Sequence, residues 1–314
     1  MRYVINNCHD AHWNMAHNEF LLEGLNGDAV FCLWQNAPAV IIGLNQSAYA
    51  EVNLPYLEAS GIKLARRVTG GGAVYHDLGN LNYSIVGPAR EVEKYYDLMA
   101  DALRQLGLPA ERTGRNDILV DGLKCSGWAK RLSKDRMMIH GTLMWDVDFE
   151  ALTEALAVPG SKLSAAGIAS VRSRVCNLRP LLPQFKTLEE FRDALHGILA
   201  DESQEISLTE AQKAQITKRM NEKFSTWEWI YGRSPKTEFK STKKFPCGTV
   251  TAHYTLTRGV FSELEFTGDF IGNRPAQELS AQIEGRRLED LSNIDPSPYF
   301  DGLTPQQLTD LFRQ

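Results

Sequence analysis

Several features that define other classes of protein are missing from this sequence. The 314-residue chain has five cysteines, an odd and scattered set that predicts neither a disulfide framework nor a zinc site. No apolar run is long enough to span a bilayer, and the first residues lack the apolar stretch of a signal peptide. We therefore expect a reduced, cytoplasmic protein that does not associate with membranes.

An excess of positive charge is also missing. The chain has 34 lysines and arginines against 39 aspartates and glutamates, which gives a formal net charge of −5. No basic tail or basic helix stands out, so we expect no nucleic-acid partner. Repeats and low-complexity segments are absent as well. The hydrophobic content of 43% is ample for a core, and we expect a soluble monomer with one large domain or a large and a small one.

What the sequence does contain is a mixture of helical and extended patterns. Apolar residues recur at helical spacing over residues 9–23 and 92–106. Short apolar or alternating runs predict strands at residues 30–34, 39–42, 80–86, 117–120, 125–129 and 139–144. Together these patterns indicate an α+β (mixed α/β) fold.

The character of the chain changes between Gly232 and Lys244. This stretch is polar and rich in lysine and contains Pro235, which is typical of a linker. After it, apolar residues alternate over 250–256, and Arg258-Gly259 predicts a hairpin turn. We therefore predict a large domain over residues 1–235 and a small α+β domain over residues 240–314.

The most informative motif is RRVTGGGAVYHDLGN, residues 66–80. Three consecutive glycines let a backbone approach a ligand closely, and arginine suits phosphate and carboxylate groups. No Gly-Lys-Ser/Thr follows, which excludes a Walker loop, and the spacing does not fit a dinucleotide fingerprint. The motif predicts a cationic, glycine-lined loop for a nucleotide or an activated acyl group.

A second motif, GRNDILVDGLKCSG, occupies residues 114–127. Asp121-Gly122 between two apolar runs predicts a type I′ hairpin, with Asn116 and Asp117 on one strand and Lys124 at the start of its partner. Asp117 is a candidate Mg²⁺ ligand with Asn116 orienting it, since magnesium needs only one or two carboxylates beside phosphate oxygens. A turn-forming Asn-Asp pair and an exposed hairpin lysine remain the alternatives.

These two motifs are followed by Lys134-Asp135-Arg136, by the HGTL run at residues 140–143 and by SVRSRV at residues 170–175. In this order and spacing they resemble the lipoate–protein ligase A family, within the biotin/lipoate ligase superfamily, over nearly the whole chain. The resemblance implies a large sheet-and-helix catalytic domain and a small C-terminal domain. It also implies an enzyme that uses ATP and Mg²⁺ to activate lipoate, with octanoate as a further candidate, to an acyl-AMP.

The resemblance assigns roles to individual residues. Lys124 becomes the catalytic residue, in contact with both ATP and lipoate, and Gly71 and His140 become further lipoate contacts. The implied ATP contacts form one list: Arg67, Gly72, Ala73, Val74, Tyr75 and Lys124. Residues 170–174 match a segment that closes over the adenylate.

The lipoyl chain needs an apolar tunnel. The candidates for its wall flank the motifs: Trp34, Leu44, Val74, Tyr83 and Trp128. Adjacent residues on an extended segment face opposite ways, so we expect one of Arg66 and Arg67 to be functional. We expect His76 and Asp77 to stabilise the loop rather than to act as a dyad.

Family acceptors are the lipoyl domains of 2-oxo acid dehydrogenase complexes and the glycine cleavage H protein, and we expect the acyl group to pass to one of their lysines. Two alternatives stay open at this point. One is an ATP-independent octanoyl or lipoyl transferase that forms a thioester on a cysteine, for which Cys176 lies near arginines. The other is a non-catalytic lipoate-binding protein.

Overall fold

The chain forms two compact units. The computed structural model describes residues 1–25, 27–114, 116–156, 174–201 and 204–313. The first unit holds the described residues of 1–44, 61–156 and 174–226, and the second holds those of 45–60 and 227–313. The segment 45–60 therefore groups with the C-terminal part of the chain although it lies early in the sequence.

Strands supply most of the framework. In chain order they are β1 (Arg2–Tyr3), β2 (Val30–Trp34), β3 (Ala39–Ile42), β4 (Lys63–Arg66), β5 (Val74–His76), β6 (Asn80–Pro88), β7 (Ala110–Thr113), β8 (Asp117–Val120), β9 (Leu123–Ser133), β10 (Arg136–Met144), β11 (Thr237–Phe245), β12 (Gly248–Thr257) and β13 (Val260–Gly268).

Helices connect and cover the strands. The α-helices of the described residues are α1 (Ala11–Gly24), α2 (Leu54–Ala59), α3 (Glu93–Tyr96), α4 (Leu98–Gln105), α5 (Phe149–Ala155), α6 (Leu188–Leu199), α7 (Glu210–Arg219), α8 (Trp227–Ile230), α9 (Ala276–Ile283) and α10 (Pro305–Phe312). Short 3₁₀ turns lie at Ala89–Glu91, Arg179–Leu181 and Leu288–Asn293, and a π turn follows α7 at Met220–Phe224. Within this part of the chain no helix has both the length and the apolarity that crossing a bilayer requires.

The first unit is built on a seven-stranded sheet in the order β1-β2-β6-β10-β9-β8-β7. Alternate residues of a strand face opposite sides. On β6, Leu81, Tyr83 and Ile85 join the apolar core shared with α4 and α6, whereas Asn82 and Ser84 face the other way. Ser84 Oγ donates to Asn18 Oδ1 on α1 at 2.7 Å, which places α1 on this second side.

A smaller sheet, β4-β3-β5, belongs to the same unit. β3 runs parallel to β4 and antiparallel to β5. The segment between β4 and β5, residues 67–73, holds the three glycines of the motif, and this glycine loop therefore starts and ends on strands that flank β3. This arrangement fixes both ends of the glycine loop in one sheet.

Local sequence signals, an Asp-Gly turn and three threonine caps, predict several of these elements. Asp121 and Gly122 both have positive φ, 49° and 79°, and join β8 to β9 as the type I′ signal predicts. Thr187, Thr209 and Thr304 each accept a hydrogen bond from a backbone N–H in the first turn of the helix that follows. The helix predicted over residues 92–106 is instead broken at Asp97 into α3 and α4.

The second unit contains the antiparallel sheet β11-β12-β13. Val250, Ala252, Tyr254 and Leu256 alternate along β12 as predicted and join a core with α9 and α10. The linker predicted between Gly232 and Lys244 is wrong, because Thr237–Phe245 forms β11. β11 is an edge strand with four exposed polar positions, and such strands are charged because they must resist pairing with other chains.

Candidate active site

A cavity of about 160 Å³ lies in the first unit, lined by residues of both of its sheets. Trp34, Asn82 and Thr142 form one row across β2, β6 and β10, because they are direct cross-strand partners that share a face. The smaller sheet contributes Ile41 and His76. A cavity of roughly 150 Å³ holds a benzene-sized group, so this one has room for a small ring.

The glycine loop forms another part of the wall and is held by Arg67. The Arg67 guanidinium donates from Nη2 to the carbonyl oxygens of Gly70 and Gly72 at 2.7 and 2.8 Å, and from Nη1 to Ile41 O at 2.9 Å. Its Nε donates to Thr69 Oγ1 at 3.0 Å. Burial lowers the pKa of Arg67 to about 10, so the group stays charged at neutral pH. Arg67 therefore shapes the loop from inside it.

These bonds orient the loop's backbone N–H groups. In a trans peptide the C=O of one residue and the N–H of the next point in opposite directions. With the Gly70 and Gly72 carbonyls turned toward Arg67, the N–H groups of Gly71 and Ala73 point away from it. Backbone N–H groups that a loop presents in this way suit an anion such as a phosphate.

Arg66 is buried next to Arg67 and has a structural position of its own. Its Nη1 donates to the carbonyl oxygens of Gly43 and Leu44 at 3.0 and 3.1 Å. The expectation that the two arginines face opposite ways, with one of them outward, is therefore wrong, since both are buried and donate to backbone carbonyls.

Lys124 lies in the cavity wall beside Asp117. Its Nζ is 2.7 Å from Asp117 Oδ1, and each side chain is a little over a third exposed. Gly127, the cross-strand partner of Asp117, leaves the room for this pair, because a Cβ there would lie 3.1 Å from both Cε and Nζ of Lys124. The hairpin thus presents a partly exposed cation at the cavity.

His140 lines the same cavity. Its Nε2 is 2.7 Å from Thr69 Oγ1, which also accepts from Arg67. Burial, with smaller contributions from Arg67 and His76, lowers the pKa of His140 to about 3. The imidazole is therefore neutral and joins the glycine loop to β10.

The other sequence-predicted residues divide into two groups. Gly71, Gly72, Ala73 and Val74 line the cavity beside Arg67, Lys124 and His140. Tyr75 does not, since it alternates with Val74 and His76 on β5 and its side chain is buried on the other side. Asp117 reaches the cavity only through its contact with Lys124.

The predicted tunnel residues divide in the same way. Trp34, Val74 and Trp128 line the cavity, whereas Leu44 and Tyr83 do not. Tyr83 faces the apolar core on the far side of the sheet. The predicted closing segment, residues 170–174, lies outside the described residues except for Arg174, whose carbonyl accepts from Lys124 N at 2.9 Å.

Sequence reasoning missed part of the polar wall. Asn36, Asn82 and His76 are buried, and the last two line the cavity. His76 lies within the glycine-rich motif, and its place there could have indicated that it lines the site. Asn36 and Asn82 had none, because single asparagines in apolar runs do not distinguish a turn from a site.

The fold is that of a class of enzymes, the protein ligases that handle a lipoyl group. Residues 10–200 match the family described as the lipoyl protein ligase A/B catalytic domain, and residues 234–312 match the bacterial lipoate protein ligase C-terminus. The chain belongs to the lipoate–protein ligase family and is a ligase, as its motifs predict.

Relatives and solved structures align with most of this chain. The chain is 36% identical to lipoate-protein ligase LplJ of Bacillus subtilis, over 97% of both chains, and 36% identical to lipoate–protein ligase 1 of Staphylococcus aureus, over 98% of both. A lipoate-protein ligase A solved with ATP aligns with a TM-score of 0.63 at 27% identity, over 74% of this chain and 98% of its own. LipL1 of P. falciparum, solved with lipoate, aligns with a TM-score of 0.62 at 25% identity, over 99% of this chain and 98% of its own.

Proposed function

We propose that this ligase uses ATP to activate lipoate to lipoyl-AMP and transfers the lipoyl group to a lysine of an acceptor lipoyl domain. The observation that carries the proposal is the position of Lys124. Its ammonium group stands at the wall of a cavity with room for a ring, in the same wall as a glycine loop whose N–H groups are turned away from Arg67.

In the first step a lipoate carboxylate oxygen attacks the α-phosphorus of ATP, and pyrophosphate leaves with the electrons of the broken P–O bond. Negative charge gathers on the α-phosphate beside an anionic acid. Lys124 Nζ stabilises that charge, and a well-placed donor of this kind is worth roughly 10²–10³ in rate. Asp117 holds Lys124 in place at 2.7 Å until the anionic substrates arrive.

In the second step the neutral amine of the acceptor lysine attacks the acyl carbon, and AMP leaves as the amide forms. Lys124 again stands where the leaving phosphate carries charge. The amide N–H groups of Gly71 and Ala73 are proposed to bind phosphate oxygens, while Gly72, Val74 and Tyr75 contribute backbone to the nucleotide site. Gly71 and His140 are proposed to contact lipoate.

Asp117 fits the role of a magnesium ligand. Mg²⁺ takes one or two carboxylates together with phosphate oxygens, and Asp117 is a carboxylate beside the cavity with over a third of its side chain exposed. Within the described residues no cluster of three or more acidic, histidine or cysteine side chains forms a metal site without substrate. A bound Mg²⁺ would supply charge to the phosphates of ATP.

The proposal extends to the rest of the molecule. Residues 1–235 supply the catalytic part and residues 240–314 the accessory domain, and we place the protein in the cytoplasm as a monomer. The acceptors are lipoyl domains of 2-oxo acid dehydrogenase complexes and the glycine cleavage H protein. A related archaeal ligase from Thermoplasma acidophilum was studied together with its E2 lipoyl domain, which supports this class of partner.

The environment of the Cys176 thiol argues against the alternative in which a cysteine forms a thioester. Burial raises the pKa of the Cys176 thiol, and the carboxylate of Asp121 raises it further. A nucleophilic cysteine needs the opposite shift, because the thiolate is the reactive form. The thiol instead lies 3.7 Å from Leu123 O, as a weak donor.

The test is lipoylation of an apo lipoyl domain, followed by intact mass. We expect the acceptor to gain a lipoyl group with lipoate and ATP, none without ATP, and an unchanged rate in Cys176→Ser. Acyl transfer from an octanoylated carrier protein without ATP, lost in Cys176→Ser, would contradict the proposal. Lipoate binding without any transfer would leave only the non-catalytic alternative.

A further inference from the structure

We propose that His76, assisted by Asn82, donates a hydrogen bond to the sulfur-bearing end of the acyl substrate and thereby makes the site favour lipoate over octanoate. This inference rests on the proposed function and identifies a specificity-determining pair within it.

Asn14 has its amide orientation fixed by the backbone. Its Nδ2 lies 2.8 Å from the carbonyl oxygens of both Cys8 and Gln35. A carbonyl oxygen only accepts, so the atom that faces these two groups must be the nitrogen. The same Nδ2 is 2.8 Å from the Asn36 side chain, and the Asn36 atom facing it is therefore the oxygen.

The orientation of Asn36 determines the tautomer of His76. With its oxygen turned to Asn14, Asn36 presents Nδ2 to His76 Nδ1 at 3.0 Å. His76 Nδ1 is then an acceptor without a proton. Burial lowers the pKa of His76 to about 3, with a contribution from the charge of Arg67, so the ring is neutral and its one proton is on Nε2.

The proton on His76 Nε2 has no acceptor among the described residues. Asn82 Nδ2 is unpartnered in the same part of the chain, while Asn82 Oδ1 accepts from Asn80 Nδ2 at 2.9 Å. His76 and Asn82 are 3% and 1% exposed, and both line the cavity. Trp128 Nε1, in the same wall, is a third buried donor without a partner among the described residues. Such donors are rare, and several of them in one cavity wall indicate a ligand acceptor.

The pair lies at a suitable distance from Lys124. Asn82 pairs with Thr142, and Thr142 Oγ1 contacts the backbone of Gly127, over which the Lys124 side chain lies. Two strand spacings, about 10 Å, therefore separate Asn82 from Gly127. A medium-chain acid with its carboxylate at Lys124 would extend its far end toward Asn82 and His76.

The far end is where lipoate and octanoate differ. Lipoate carries a cyclic disulfide, whose sulfur atoms are weak acceptors, whereas octanoate ends in a methyl group that accepts nothing. Octanoate would leave both donors desolvated without a partner, which disfavours its binding. Trp34 stands edge-on to His76 at 6.2 Å between ring centroids, so the donor lies beside an aromatic surface.

The test compares kcat/KM for lipoate and octanoate, measured by pyrophosphate release from the full-length enzyme. His76→Phe keeps a ring but has no donor, and we expect the lipoate-to-octanoate ratio to fall about tenfold. His76→Gln keeps one acceptor for Asn36 and one donor for the cavity, and we expect it to restore most of the ratio. Asn82→Leu provides an independent variant should His76→Phe fail to fold.

His17 offers a matched control. Cys8 N donates to Asn6 Oδ1, so Asn6 Nδ2 faces His17 Nδ1 at 3.3 Å, and His17 Nε2 is likewise buried without a partner. His17 does not line the cavity. His17→Phe thus removes the same kind of hydrogen bond elsewhere, and we expect an unchanged ratio.

Each outcome separates the two proposals. If the wild-type enzyme releases no pyrophosphate with either acid, the proposed function and this inference both fall. If it is active but His76→Phe and Asn82→Leu keep the wild-type ratio, only this inference is overturned. An equal fall of the ratio in His17→Phe would also overturn it, because the effect would then be structural.

Discussion

Buried polar side chains, rather than exposed ones, shape this site at the scale of single residues. Arg67 directs four of its hydrogen bonds to backbone carbonyls and to Thr69, and His140 joins that same threonine from β10. A lysine could not replace Arg67, since it lacks the planar fork that reaches several acceptors at once. The charge proposed to act in catalysis is that of Lys124, whose side chain is a little over a third exposed.

The buried histidines make the folded protein less stable at mildly acidic pH. Burial lowers the pKa of His17, His76 and His140 from 6.5 to about 3. Between these values the unfolded chain binds more protons than the folded one, so the free energy of unfolding falls as the pH falls below 6.5. Each histidine contributes about 1.4 kcal/mol per pH unit in that window.

Urea unfolding of the wild type and of His17→Phe at pH 7, 6 and 5 checks this prediction. We expect His17→Phe to reduce the slope of unfolding free energy against pH by about 1.4 kcal/mol per unit, since one proton no longer binds. An identical slope in the two proteins would show that His17 is not held neutral.

The family resemblance named residues that the structure brings together, but it did not predict their environments. Lys124, Arg67, Gly71 and His140 were named in this way, and all four line one cavity. The burial of both arginines was not predicted, because alternation along a strand assumes one buried face. Here the smaller sheet and the chain at residues 43–44 enclose both sides.

At the scale of the elements, the glycine loop depends on close contact with the end of β3. A Cβ at Gly43 would lie 2.1 Å from the carbonyl oxygen of Gly71, which is backbone and cannot turn aside. We expect Gly43→Ala to lower the free energy of unfolding by about 1–3 kcal/mol. The displaced loop should also raise the KM for ATP.

Gly70→Ala is the control for Gly43→Ala. It lies in the same loop, but a Cβ there would meet no heavy atom within 4 Å. Thermal unfolding and an ATP titration of both variants provide the measurement. Equal effects of the two substitutions would mean that loss of glycine itself, rather than the contact with Gly71, matters.

Elements with a local signal were predicted and those without one were not. The Asp-Gly turn, the three threonine caps and the alternation of β12 each depend on a few neighbouring residues. The strand β11 (Thr237–Phe245) resembled a linker, because an edge strand needs charge on its exposed face. The break between α3 and α4 carries no glycine or proline to mark it.

At the scale of the whole molecule, the two units are not separate lengths of sequence. Residues 45–60 lie between β3 and β4 of the first unit yet belong to the second. Tyr49 in this segment joins the core of the second unit and packs against Tyr231, 5.5 Å between ring centroids. Such long-range grouping has no local pattern, so the sequence predicted a single boundary near residue 240.

Lipoate-dependent release of pyrophosphate from ATP by the full-length protein tests the proposed activation step and the role of Lys124 most directly. We expect release in the wild type and a fall of roughly 10²–10³ in rate in Lys124→Ala. Lys130→Ala is the matched control, because Lys130 lies on the same strand but is exposed and bonds Tyr96 Oη outside the cavity. Wild-type release that survives in Lys124→Ala, or falls equally in Lys130→Ala, would contradict the role assigned to Lys124.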